Sequence, residues 1–120
     1  MSGQRYRSFI NSLVASHPDP RYLEIGSFAG STATAALHGN RGKALCIDNW
    51  SQFGGPHSDF FDNIEKVLSS DIDFSFLEQD FRAVRYDRIG TFNIYLFDGP
   101  HEERDQYDGI ALAQPALTDP

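Results

Sequence analysis

The chain has 120 residues, with 10 Lys plus Arg against 17 Asp plus Glu, a formal net charge of −7, and one cysteine, Cys46. That length suits one domain, residues 1–120, burying roughly two-thirds of the surface of its unfolded chain. The negative charge argues against nonspecific nucleic-acid or anionic-membrane partners, and a lone cysteine excludes an intrachain disulfide. No run approaches the roughly 18 apolar residues of a membrane span. The start Met1-Ser2-Gly3-Gln4-Arg5 leads into polar sequence without a signal-peptide hydrophobic region, so a soluble, cytoplasmic protein is expected. Charge is uneven: residues 1–57 hold five basic and three acidic groups, residues 58–120 five basic and fourteen acidic.

In chain order, residues 4 to 16 place Phe9, Ile10, Leu13 and Val14 at helical spacing, and His17-Pro18-Asp19-Pro20 ends that helix. A strand is expected over Arg21 to Ile25, then a small-residue helix from Ser31 to Leu37 closed by Gly39-Asn40, a pair suited to a left-handed cap. The second strand covers Lys43 to Asp48 and precedes an aromatic and glycine-rich loop, Asn49 to His57. Ser58 reads as the N-cap of a helix with Phe60, Phe61, Ile64, Val67 and Leu68 on one face. Ile72, Phe74 and Phe76 alternate in a third strand that runs into Glu78-Gln79-Asp80. After a short irregular connection, Phe92 to Asp98 is nearly continuously apolar, as a strand covered on both faces should be. Gly99-Pro100 then turns into a last helix with Tyr107, Ile110, Ala111 and Leu117 at core spacing. Helices alternating with strands in this way predict an α/β fold, a Rossmann-like doubly wound parallel sheet of order 3-2-1-4.

Acids end all four strands: Glu24, Asp48, Glu78 or Asp80, and Asp98. In open parallel sheets a ligand lies beyond those carboxyl ends. The first strand leads through Glu24-Ile25-Gly26-Ser27-Phe28-Ala29-Gly30, spaced E-x-G-x-x-x-G, and the G-x-G-x-x-G of dinucleotide binders is absent. A strand, a tight glycine turn and a helix start expose backbone N–H groups. An acid at position 24 repels a pyrophosphate and welcomes an ammonium group, such as the amino-acid end of S-adenosylmethionine. Asp48 follows Gly26 by 22 residues, near the roughly 20 at which an acid accepts from ribose hydroxyls. Asp80 can accept from the exocyclic amine of adenine, with Phe81 or Trp50 against the ring.

On these residues the chain resembles the class I S-adenosylmethionine-dependent methyltransferases, in particular the small-molecule group with an Asp-Gly-x-His segment after strand four, here Asp98-Gly99-Pro100-His101. The resemblance implies that Gly26, Ser27, Phe28, Gly30 and Ser31 cradle the methionine end of the cofactor. It also implies ribose binding at Asp48, with Asn49 and Trp50 beside it, and adenine binding at Asp80 and Phe81. Glu24 and Asp98 would hold the ammonium group and favour the positive sulfur. His101 is the candidate base that deprotonates an oxygen or nitrogen of a small-molecule acceptor. Related members of the family bind a divalent metal, which makes a metal a further candidate here, with Asp98 and His101 as the candidate ligands. Two departures stand out. Residues 102–108 do not follow the family's His-Ser-Tyr pattern, so Tyr107 takes no role from it. The family sheet has seven strands and this chain stops at Thr118-Asp119-Pro120, so strands five to seven are expected to be missing and an exposed sheet edge to be covered in a homo-oligomer. The competing readings are an NAD-dependent oxidoreductase, which Asp48 would also suit, and a noncatalytic, truncated binding domain.

Overall fold

The computed structural model describes residues 4–26, 31–48, 57–97 and 103–117. Four strands, β1 (Arg21–Ile25), β2 (Gly42–Ile47), β3 (Ile72–Leu77) and β4 (Ile94–Phe97), form one parallel sheet in the order β3-β2-β1-β4. This is the Rossmann-like doubly wound arrangement expected from the alternation of helices and strands. The helices are α1 (Gln4–Ser16), α2 (Ser31–Leu37), α3 (His57–Glu65) and α4 (Glu103–Ala113), with single 3-10 turns at Phe81–Ala83, Tyr86–Arg88 and Gln114–Ala116. Among the described residues, no helix is long and apolar enough to cross a membrane.

Side chains alternate across a strand, so each strand feeds two cores. Tyr22 of β1, Ala44 and Cys46 of β2, and Ile72 of β3 enter one core, closed by Ile10 and Val14 of α1, Ala33, Ala36 and Leu37 of α2, and Ile64 of α3. Leu23, Ile25, Leu45 and Ile47 enter the other, closed by Phe81, Val84, Tyr86, Ala113 and Ala116. The small residues of α2 let it lie close on the sheet, with Ala33 and Ala36 fully buried. Gly39, in the left-handed region at φ 72°, ends that helix as expected.

Three local expectations are corrected. Phe9 of α1 is exposed, as are Phe61 and Leu68 at and beyond α3, and Ser58 lies inside α3 because the helix already includes His57. The apolar run before Asp98 divides: only Ile94–Phe97 is ladder, while Phe92 bridges in parallel to Leu117 and donates its N–H to the Ala116 carbonyl at 2.7 Å. The largest difference is in α4, where Tyr107, Ile110 and Ala111 face solvent and Gly109 and Ala113 face the sheet. The reason is steric. The Phe97 ring fills the space beside Gly109, where any Cβ would collide with it, and the Tyr95 hydroxyl donates to the Gly109 carbonyl at 2.7 Å. A helix docked that closely must turn its small residues inward.

Candidate functional site

Parallel register brings the strand ends to one level. Ile25 pairs with Ile47 and with Phe97, and Ile47 pairs with Leu77, so the residues that follow, Gly26, Asp48 and Glu78, form a common rim. Main-chain bonds continue one step past the ladder: Gly26 N–H donates to the Ile47 carbonyl at 2.9 Å and Asp48 N–H to that of Leu77 at 3.2 Å. Gly26 has φ 85°, a left-handed conformation that side chains disfavour, so a glycine is needed where the chain leaves β1 for α2. Asp48 is half-buried at this rim, and Glu78 and Asp80 are exposed on it.

Glu24 stands two residues below the rim, on the α2 side of the sheet, and is 1% exposed. Its carboxylate accepts from the Tyr22 hydroxyl at 2.5 Å, a donor that strand alternation places on the same face. Asp80 opens the 3-10 turn Phe81–Ala83 by accepting from Arg82 N–H at 2.9 Å. Phe81 lies inward, 7% exposed, edge-on to Phe97 at 5.2 Å between centroids, with the Arg82 guanidinium 4.8 Å over its ring. Tyr86 fixes this turn from below by donating to the Phe81 carbonyl at 2.7 Å. Burial, and then the charge of Asp80, push the Tyr86 phenol well above its ordinary pKa; Tyr95 is raised by burial and then by Tyr86. Both phenols are therefore hydrogen-bond donors throughout the neutral range.

The structure thus brings Gly26, Asp48, Asp80 and Phe81 to the carboxyl edge of the sheet and sets Glu24 beneath it. Ser31 is the first residue of α2. Ser27, Phe28, Gly30, Asn49, Trp50, Asp98 and His101 lie outside the described residues. Among the described residues, no group of three His, Cys, Asp or Glu side chains is placed to hold a metal ion. A cavity of about 670 Å³ lies elsewhere, on the outer side of the helical layer. Among the described residues, Arg7 and Asn11 of α1, Thr34 of α2, His38 and Asn63 line it, and no strand residue does. Sequence reading missed Arg82 and its ion-pair partner Asp108 on α4, which are 26 positions apart with no local pattern to join them.

The rim thus carries an acid at the end of β2, an acid after β3 and a glycine turn after β1. No protein-family model and no curated protein matches the chain in sequence. Solved structures do match in shape. The O-methyltransferase TomG of Streptomyces achromogenes, involved in tomaymycin synthesis and solved with S-adenosylmethionine, superposes with a TM-score of 0.72 at 12% identity, over 98% of this chain and 53% of its own. The O-methyltransferase of Bacillus cereus, solved with S-adenosylhomocysteine, gives 0.73 at 14% identity over 98% and 54%. The precorrin-6y C5,15-methyltransferase of Geobacter metallireducens gives 0.68 at 17% identity over 98% and 59%. The chain therefore spans little more than half the length of these structures, and over that span it has the Rossmann-like fold of the class I methyltransferases.

Proposed function

We propose that residues 1–120 act as one S-adenosylmethionine-binding unit of a methyltransferase that modifies an oxygen or nitrogen of a small molecule. The observation that carries this reading is the rim itself: Gly26, Asp48 and Asp80 stand at the carboxyl ends of adjacent strands, in a fold whose solved neighbours include two methyltransferases with the cofactor or its product bound. Bound there, S-adenosylmethionine would supply an electrophilic methyl group on a positive sulfur. The chain's own work is then binding and alignment. Asp48 accepts from the ribose hydroxyls, Asp80 from the adenine amine, and the turn at Gly26 lets backbone N–H groups approach the amino-acid end. Asn49 and Trp50 would flank the nucleoside. Glu24, held by Tyr22 and enclosed in the sheet, would act on the ammonium group only from below the turn. Asp98 would complement the ammonium group and His101 would take the acceptor's proton. A divalent metal at Asp98 and His101 is a lesser alternative for the same task. A second copy pairing on the edge of β4 is proposed for the assembly.

Calorimetry with S-adenosylmethionine and S-adenosylhomocysteine tests the reading. Both are expected to bind, and Asp48→Ala to weaken each about tenfold or more through loss of a charge-assisted hydrogen bond. Absence of binding of either at millimolar concentration defeats it. Enhanced emission of bound NADH over that of the same concentration of free NADH would favour the oxidoreductase instead.

A further inference from the structure

The strand-end rim is tied to α4 by a closed circuit of five residues: Phe81, Arg82, Asp108, Gly109 and Phe97. Arg82 is its hub. Its N–H holds one carboxylate oxygen of Asp80, Oδ1, at 2.9 Å. Its guanidinium lies over the Phe81 ring and donates through Nη1 to Asp108 Oδ2 on α4. Phe81 meets Phe97 edge-on, and Phe97 occupies the space that Gly109 leaves open, which returns the circuit to α4. One residue therefore engages Asp80 with its main chain and α4 with its side chain.

We infer that Asp108 is a positioning residue for Asp80, acting through Arg82, and that it sets the preference of the site for an amino-substituted base. The inference rests on the adenosyl reading given above. Asp80 is exposed, and an exposed carboxylate on an untethered turn samples many orientations. Fixing Oδ1 on the Arg82 amide fixes the direction of Oδ2, provided that the 80–83 turn is itself held. Phe81 holds it from the core, and the Arg82–Asp108 ion pair holds it from α4. The two side chains of that pair are 37% and 26% exposed, so water screens their attraction and the pair contributes mainly to orientation.

The test compares S-adenosylhomocysteine with S-inosylhomocysteine, in which a carbonyl oxygen replaces the exocyclic amine. Calorimetry is run on the wild-type chain, Asp108→Ala, Asp108→Asn and Asp108→Glu, with thermal melting in parallel. The wild type is expected to prefer the adenosyl compound about tenfold, the worth of one hydrogen bond to a charged acceptor. Asp108→Ala and Asp108→Asn should lower adenosyl affinity about fivefold, leave the inosyl compound unchanged and shift melting little. Asp108→Glu should restore the preference. Equal losses for both ligands, or an unaltered preference in folded Asp108→Asn, overturn the inference while leaving the cofactor reading intact. Failure of the wild type to bind either compound overturns the cofactor reading, and this inference with it. If Asp108→Ala does not fold, the isosteric Asp108→Asn decides.

Discussion

Glu24 and Asp48 carry the same charge and stand in opposite settings. Glu24 is closed into the α2 side of the sheet and takes a hydrogen bond from Tyr22, whereas Asp48, one strand over, reaches the rim half-buried. An acid so enclosed needs a donor on its own strand face, because burying a charge without partners costs several kcal/mol. Both positions were legible as acids closing apolar runs. Their difference in depth was not, because it depends on register: Glu24 is level with Cys46, inside the ladder, and Asp48 is one step beyond it. The two buried phenols give a residue-scale prediction. Tyr86 and Tyr95 have folded pKa values above the ordinary value of 10.0. Their contribution to stability is fully present below about pH 10 and is lost as the pH rises toward the folded values. Urea denaturation above pH 10 should therefore show stability falling by up to about 1.4 kcal/mol per pH unit for each phenol. Tyr86→Phe should make that slope shallower; an unchanged slope contradicts the assignment.

Among the elements, β1, α2 and β3 follow the sequence closely because each has an unambiguous pattern. β1 is a short segment around Tyr22, Leu23 and Ile25 and β3 alternates Ile72, Phe74 and Phe76, both bounded by turn residues, and α2 is a run of small residues between glycines. For α4 the pattern misleads. Ile110 and Leu112 dominate its hydropathy, yet with Tyr107 they are exposed, and among the described side chains the inward face is made by Gly109 and Ala113. Small residues give almost no hydrophobic signal, so a helix that docks by closeness rather than by bulk is invisible to periodicity. Close docking also predicts fragility. Gly109→Ala places a methyl group against the Phe97 ring and should destabilise the chain by about 1–3 kcal/mol. Chemical denaturation measures this, and a stability equal to wild type would mean that α4 does not sit against Phe97. Phe97→Leu in the same background should recover part of the loss, since it removes the ring that the methyl group meets.

At the scale of the molecule, the parallel order β3-β2-β1-β4 gathers residues distant in sequence onto one edge. Gly26, Asp48 and Asp80 follow strand ends on that edge because every strand runs the same way and stops at the same level; Asp48 and Asp80 mark it in the sequence, whereas Glu24, read as closing β1, lies inside the ladder. The Arg82–Asp108 tie was beyond reach of the sequence because only the packing of α4 brings the two residues together. The proposed cofactor site lies at this edge, while the cavity lined by residues of α1, α2 and α3 offers a competing place for a ligand. Amide chemical-shift mapping of the nitrogen-15-labelled chain, titrated with S-adenosylhomocysteine, separates the two directly. The account predicts shifts concentrated at Gly26, Asp48 and Phe81, with Arg7, Asn11 and His38 unmoved. Shifts confined to the residues of the cavity, or none at saturating ligand, would contradict it.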